Sequence, residues 1–156
     1  MSAAAVEELL DALGGRSRAR LAAACTEDVH WEDPLSGGAI VGAEALGDHL
    51  ARFWAAFPDG RVERAADVLA DPTHAAAAVL VRGSHTGETS AELPPTGRDL
   101  SLHAVLWCAL QDGHVHRVRA FFDANEAARQ LGVLPARGSL AERALLLLQG
   151  FGLRAP

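Results

Sequence analysis

The chain has 156 residues, with 14 basic against 20 acidic side chains and a formal net charge of −6. This length is typical of one domain, and a composition of 49% hydrophobic and 22% charged residues excludes a disordered or fibrous chain. An acidic balance without a block of like charges argues against nucleic acid or an anionic membrane as partner, because both need a basic face.

All 14 basic residues are arginine, and tyrosine is absent. Without lysine, Schiff-base, pyridoxal-phosphate and Walker-type chemistry are excluded, and we expect no cofactor. Cys25 and Cys108 are distant in sequence, which favours buried thiols in a reducing compartment. No export or membrane-spanning pattern is found, so the expected location is cytoplasmic.

The first third of the chain predicts three helices and one short strand. Apolar residues at helical spacing indicate a helix over 6–13 and a second over 17–25. Val29-His30-Trp31 is typical of a short strand, which ends at Asp33-Pro34. A third helix is predicted over 43–57, and its broad apolar stripe is the most aromatic in the chain: Phe53, Trp54 and Phe57.

Four strand candidates follow this aromatic helix, at 62–70, 74–84, 98–110 and 114–122. Asp71-Pro72-Thr73 and Asp112-Gly113 are typical hairpin turns, and the Asp-Gly pair tolerates positive φ at both central positions. The pattern therefore predicts an antiparallel meander.

Two capping boxes predict helices after the last strand. Asp123 with Glu126 opens a helix through Leu131, and Ser139 with Glu142 precedes a second helix over 144–148. Helices, a strand, a helix, four strands and a helical tail together indicate an α+β fold.

Several motifs in this order resemble a known family: Phe57-Pro58-Asp59, Pro94-Pro95-Thr96-Gly97-Arg98, Asp112-Gly113 through Phe122-Asp123, and Arg129-Gln130-Leu131-Gly132. Together they resemble a SnoaL-like, polyketide cyclase-like protein of the nuclear transport factor 2-like superfamily. The resemblance covers roughly residues 5–132.

The resemblance implies a cone-shaped, curved antiparallel sheet, packed by the N-terminal helices around an apolar pocket. It implies one domain over 1–132, which leaves 133–156 as a helical tail packed on the domain or on a partner subunit. It also implies a homodimer through the outer sheet face, where His103, Val105 and Trp107 are expected to point.

The chain departs from the family's known catalytic sets. Where the polyketide cyclases carry an acid/base Asp this chain has Ala120, and their supporting Gln and His fall at Ala104 and Leu106. Compared with limonene-epoxide hydrolase-like enzymes, Arg82 is kept but its Asp companion is Ser84. Their water-holding Tyr and Asn fall at Trp31 and Asp33.

If the pocket-facing parity of these relatives holds, a few polar groups converge in an apolar cavity. We assign catalytic roles to Asp33, Arg82 and His116. Asp33 is expected to stay ionised near Arg82, and His116 could move a proton near neutral pH. The remaining expected ligand-binding residues are Trp31, Trp54, Phe57, Ser84, Leu106, Ala120, Phe122 and Asp123.

Structural roles compete with these assignments. Asp33 could cap its loop with Arg82 as its ion-pair partner, and Asp123 could act only as a helix cap. His85 with Glu88, and His114 with His116, give only a weak metal-ligand pattern, so no metal is predicted. Ser84 lacks the spacing of a nucleophile elbow.

Three hypotheses for function follow. The first is an enzyme that acts on a hydrophobic, oxygenated small molecule, such as a polyketide, ketone or epoxide, by acid/base or water-mediated chemistry. The second is a binding protein of the same fold without catalysis, since Ala120 replaces the family's Asp. The third is an interaction module whose pocket is filled by its own side chains or by the apolar tail, which includes Phe151 and Leu153.

Overall fold

The computed structural model describes residues 2–88 and 94–150. Its helices are α1 (Ser2–Gly14), α2 (Arg18–Ala24), α3 (Ala43–Ala56), α4 (Ala124–Gln130) and α5 (Leu140–Leu148). Its strands are β1 (Cys25–Glu32), β2 (Ile40–Val41), β3 (Arg61–Arg64), β4 (Leu69–Ala70), β5 (His74–Ser84), β6 (Asp99–Gln111) and β7 (His114–Phe121). The predicted α+β class is confirmed.

The strands form one curved, unclosed sheet in the order β2-β1-β7-β6-β5-β3, with β4 paired to β5. All pairs are antiparallel except β1 with β7, which run parallel. The N-terminal strand β1 therefore lies between the short β2 and the last strand, β7. The predicted strand 62–70 is two short strands, β3 and β4, separated by residues 65–68, of which 65–67 are exposed.

Local sequence signals set the turns and helix starts. Asp112 and Gly113 have φ of 50° and 79°, as the predicted β6–β7 hairpin requires. Side chains of Ser17, Asp123 and Ser139 each accept a hydrogen bond from a backbone N–H at the start of α2, α4 and α5. These caps confirm the helix starts expected from the sequence.

Strand β6 alternates strictly and defines the two faces of the sheet. Its even positions from Leu100 to Cys108 are buried on what we call the inner face, where α1 packs. Val6, Leu9 and Leu13 of α1 are buried in the same core cluster as Leu106 and Ala120. The apolar positions expected to line a pocket are therefore in contact with core side chains.

The opposite, outer face carries His103, Val105 and Trp107, as predicted. Val105 and Trp107 are 43% and 38% exposed, and Phe121 on the neighbouring strand is 54% exposed. The Trp107 ring lies 4.9 Å from that of His74. A homodimer through this face stays a prediction.

The C-terminal tail returns toward α4. Arg129 of α4 lies 3.7 Å from Glu142 of α5, and Arg137 lies 3.8 Å from Asp123. Leu140 and Leu148 of α5 are exposed, while Phe151 and Leu153 lie outside the described residues. The tail therefore contacts the domain through two ion pairs, at 3.7 and 3.8 Å. Its contact with a partner subunit stays a prediction.

The two thiols are expected to be unreactive in the folded protein. Burial raises the pKa of Cys25 to about 11 and that of Cys108 to about 12, with the nearby Cys25 as a second cause for Cys108. An Ellman titration at pH 8 should detect almost no thiolate before unfolding, and two thiols in guanidinium chloride. Rapid reaction of the native protein would show that the sheet opens at these positions.

Candidate functional site

Asp33 lies one residue beyond β1 and holds a buried carboxyl group. Its side chain is 7% exposed. Oδ2 accepts a hydrogen bond from the Trp31 indole at 2.7 Å and lies 2.6 Å from His49 Nε2. Oδ1 accepts from the backbone N–H of Leu35 at 2.7 Å. Three donors therefore converge on one carboxylate.

These contacts set the ionisation of Asp33. Burial is the largest influence on its pKa and acts to raise it, but the hydrogen bonds from His49, Trp31 and Leu35 outweigh burial. The pKa of Asp33 consequently lies below its ordinary value, and the carboxyl is negatively charged at neutral pH. The prediction that Asp33 stays ionised is supported, although its partner is not the one expected.

The partner of Asp33 is His49, which the sequence analysis missed. His49 lies on α3, three residues after the buried Leu46 and four before Phe53, so it shares their helix face. Its side chain is 21% exposed. A polar imidazole within the apolar stripe of the aromatic helix was the available signal.

Aromatic side chains precede and follow the Asp33–His49 pair on the same elements: Trp31 on β1 and Phe53 on α3. Trp31 pairs in register with Ile40 of β2. Phe53, one turn beyond His49, and Phe122 are partly buried and both pack against the second core cluster, which contains Phe57. The pair therefore lies beside an apolar wall rather than in a polar surface.

Strand pairing brings Asp33 beside the position where the family's catalytic Asp is expected. Glu32 pairs with Arg119 in the parallel β1–β7 register. The next residues along these strands are Asp33 and Ala120, and both lie on the inner-face side of the alternation. Position 120 on β7 has no carboxylate, but Asp33, directly after the neighbouring β1, carries one.

Arg82 and Ser84 do not join this site, and the predicted parity of β5 is wrong. Val79 and Ala77 are the buried inner-face residues of β5, so Arg82 and Ser84 alternate with them on the outer face. Arg82 pairs with the exposed Ser101, and Ser84 Oγ donates to Asp99 at 2.7 Å. These residues line an open outer-face concavity of about 460 Å³.

His116 is also absent from the inner face, because the β6–β7 pairing has an irregularity there. Val115 pairs with Leu110 but Arg117 pairs with Ala109, which leaves His116 as an extra residue. Its Nδ1 lies 3.3 Å from Thr26 Oγ1, and its ring lies 5.9 Å from that of His30. The bulge breaks the alternation on which the prediction depended.

The remaining predicted ligand-binding residues have diverse positions. The Arg16 guanidinium lies over Trp54, 4.5 Å from the centroid of the indole ring. Trp54 therefore packs against Arg16, a contact that the sequence analysis did not expect. Phe57, Leu106 and Ala120 are buried in core clusters. Asp123 is the N-cap of α4, which confirms its structural alternative, and its role toward a ligand stays a prediction.

His85 is fully buried, and it contacts Thr96 and the Phe57 ring. Its Nδ1 accepts from the Thr96 backbone N–H at 3.2 Å, and its ring lies 5.3 Å from that of Phe57.

Over residues 2–88 and 94–150, no three His, Cys, Asp or Glu side chains are grouped to hold a metal ion. In the same residues no helix has the length and hydropathy needed to cross a membrane.

Solved structures similar to this chain share its fold. A protein from Jannaschia sp. CCS1 described as a SnoaL-like polyketide cyclase has a TM-score of 0.75 and 21% identity, over 86% of this chain and 93% of its own. AclR from Streptomyces galilaeus has a TM-score of 0.73 and 21% identity, over 96% and 92%. TerC, co-crystallised with polyporic acid, has a TM-score of 0.68 and 15% identity, over 84% and 98%.

No curated protein matches the chain in sequence. The family model described as SnoaL-like polyketide cyclase matches residues 3–131, which include every helix and strand from α1 to α4 apart from the first residue of α1. The chain therefore belongs to the SnoaL-like polyketide cyclase family.

Proposed function

We propose that the protein binds a hydrophobic, oxygenated small molecule beside the Asp33–His49 pair and acts on it in a cyclase-like reaction. The observation that carries the proposal is the ionised, buried carboxylate of Asp33 at the border of an apolar aromatic wall. A few polar groups in mostly apolar surroundings are typical of small-molecule sites.

The apolar wall supports the choice of ligand. Phe53 and Phe122 are only partly buried, so a planar or hydrophobic molecule can cover them and remove apolar surface from water. The Asp33–His49 pair offers hydrogen-bonding and charged atoms to a ligand oxygen at the edge of this wall. A carbonyl- or hydroxyl-bearing hydrophobic molecule fits both features.

Calorimetric titration with two probes tests the binding step. Polyporic acid is the compound in the TerC structure, and 2-tetralone is a small aromatic ketone. We expect at least one probe to bind with a micromolar dissociation constant, and Phe122→Ala to weaken that binding about tenfold, which is about 1.4 kcal/mol.

Phe121→Ala is the matched control, because Phe121 is the adjacent residue but points to the outer face and is 54% exposed. It should leave the dissociation constant unchanged. No binding of either probe at millimolar concentration, or equal losses for Phe121→Ala and Phe122→Ala, would contradict the proposed site.

A further inference from the structure

We propose that His49 Nδ1 is the proton acceptor of this site and that Asp33 is its positioning residue. The inference rests on the proposed function and adds its reactive atom and substrate class. The substrate class is a hydrophobic ketone or related carbonyl compound with an acidic C–H beside the carbonyl. The resemblance to polyketide cyclases places their catalytic residues at Ala120, Ala104 and Leu106, and neither His49 nor Asp33 is among these positions.

The hydrogen bond to Asp33 determines which imidazole nitrogen carries the proton. Asp33 is ionised and can only accept, so a neutral His49 donates its Nε2–H to Oδ2 across 2.6 Å. Nδ1 then holds the lone pair. Among residues 2–88 and 94–150, no hydrogen bond engages His49 Nδ1, and the imidazole is 21% exposed.

Asp33 is itself fixed, so it can orient the imidazole. The Trp31 indole and the Leu35 amide each donate to the carboxylate at 2.7 Å, one to each oxygen. Movement of the carboxylate would break both bonds as well as the bond to His49. Such a second layer of contacts is what holds a general base in one tautomer and orientation.

The proton transfer balances without an added reactant. The C–H bond beside the carbonyl breaks, its electron pair enters the enolate, and the proton joins His49 Nδ1. The resulting imidazolium lies against the Asp33 carboxylate, which stabilises its charge. The proton then returns to carbon, or to a new alkoxide oxygen if the enolate has closed a ring, and His49 is neutral again.

Deuterium exchange into the acidic C–H positions of 2-tetralone in D₂O, followed by NMR, tests this step. We expect the wild-type protein to accelerate exchange and His49→Gln to lose this acceleration about 100-fold or more, as is typical for a general base. His103→Gln is the matched control, since His103 is an exposed outer-face imidazole, and it should retain full activity.

Asp33→Asn separates a positioning role from a merely structural one. We expect it to lower the exchange rate at saturating 2-tetralone about tenfold or more, while the half-saturating concentration changes little. In the wild-type protein, ¹⁵N spectra should show a protonated Nε2 and an unprotonated Nδ1 for His49, and Asp33→Asn should give a mixture of tautomers. The wild-type spectrum requires no variant to fold.

Two results would overturn the inference. One is exchange that is not accelerated although calorimetry shows 2-tetralone bound beside Phe122, which would leave the proposed binding function intact. The other is evidence against His49 as the base, either a His49 tautomer with protonated Nδ1 or full activity in His49→Gln. Failure of the binding experiment itself would instead contradict the proposed function.

Discussion

Gly87→Ala is expected to lower the free energy of unfolding by more than about 3 kcal/mol, because the new methyl group has no space. An ideal Cβ on Gly87 would lie 1.7 Å from the carbonyl oxygen of Ala55 and 2.9 Å from its carbonyl carbon. Both atoms are backbone, so a rotamer change cannot relieve the clash. Urea denaturation should show the loss as a much lower midpoint.

The backbone N–H of Gly87 also provides a hydrogen-bond donor for a carbonyl at the end of α3. It donates to Ala56 O at 3.0 Å, where the helix leaves carbonyls without intrahelical partners. Moving the loop to accommodate a methyl group would break this bond and shift the loop that carries His85. Gly87→Ala therefore disturbs both the end of the aromatic helix and the end of β5.

Gly14→Ala is the control for this substitution. An ideal Cβ on Gly14 meets only Val62 O at 3.6 Å, an ordinary contact, and the residue ends α1. We expect the free energy of unfolding of Gly14→Ala to stay within about 0.5 kcal/mol of the wild-type value. Equal midpoints for the two variants would show that the 86–88 segment does not pack against α3.

Asp33→Ala should destabilise the protein by on the order of 2–3 kcal/mol and remove the proposed exchange activity. The substitution leaves the Trp31 indole and the Leu35 amide without their acceptor, and hydrogen bonds to a charged group are the stronger ones. Urea unfolding at pH 7 measures the loss. A loss below about 0.5 kcal/mol would show that the carboxylate is not held as described.

The contribution of Asp33 to the free energy of unfolding should decrease as the pH is lowered. Because its pKa is lower in the folded protein than in the unfolded chain, its ionisation stabilises the fold above the unfolded value, which is about 3.9. This contribution is lost as the pH falls through the folded pKa. The stability difference between wild type and Asp33→Asn should therefore shrink as the pH falls below about 4.

The sequence predicts the sheet well where its strands alternate. In β6 every second residue from Leu100 to Cys108 is apolar and buried, so the inner and outer faces follow from the pattern alone. The helix caps at Asp123 and Ser139 depend on contacts within one turn and are equally local. Local signals of this kind need no knowledge of tertiary structure.

The site was harder to predict because its geometry depends on long-range packing. Residues 75–81 of β5 are all apolar, so nothing in the strand indicates which face Arg82 takes. The bulge at His116 is likewise invisible without the β6 partner. Asp33 could be identified from its place after β1, but its contact with His49 joins residues 16 positions apart on different elements.

NMR titration of the protein with polyporic acid, observing histidine and tryptophan side chains, tests the location of the functional site most directly. We expect the His49 imidazole and the Trp31 indole N–H signals to shift together and to saturate with one dissociation constant. The His103 and Trp107 signals, on the outer face, should stay in place. Saturable shifts at His103 and Trp107, with His49 and Trp31 unchanged, would contradict it.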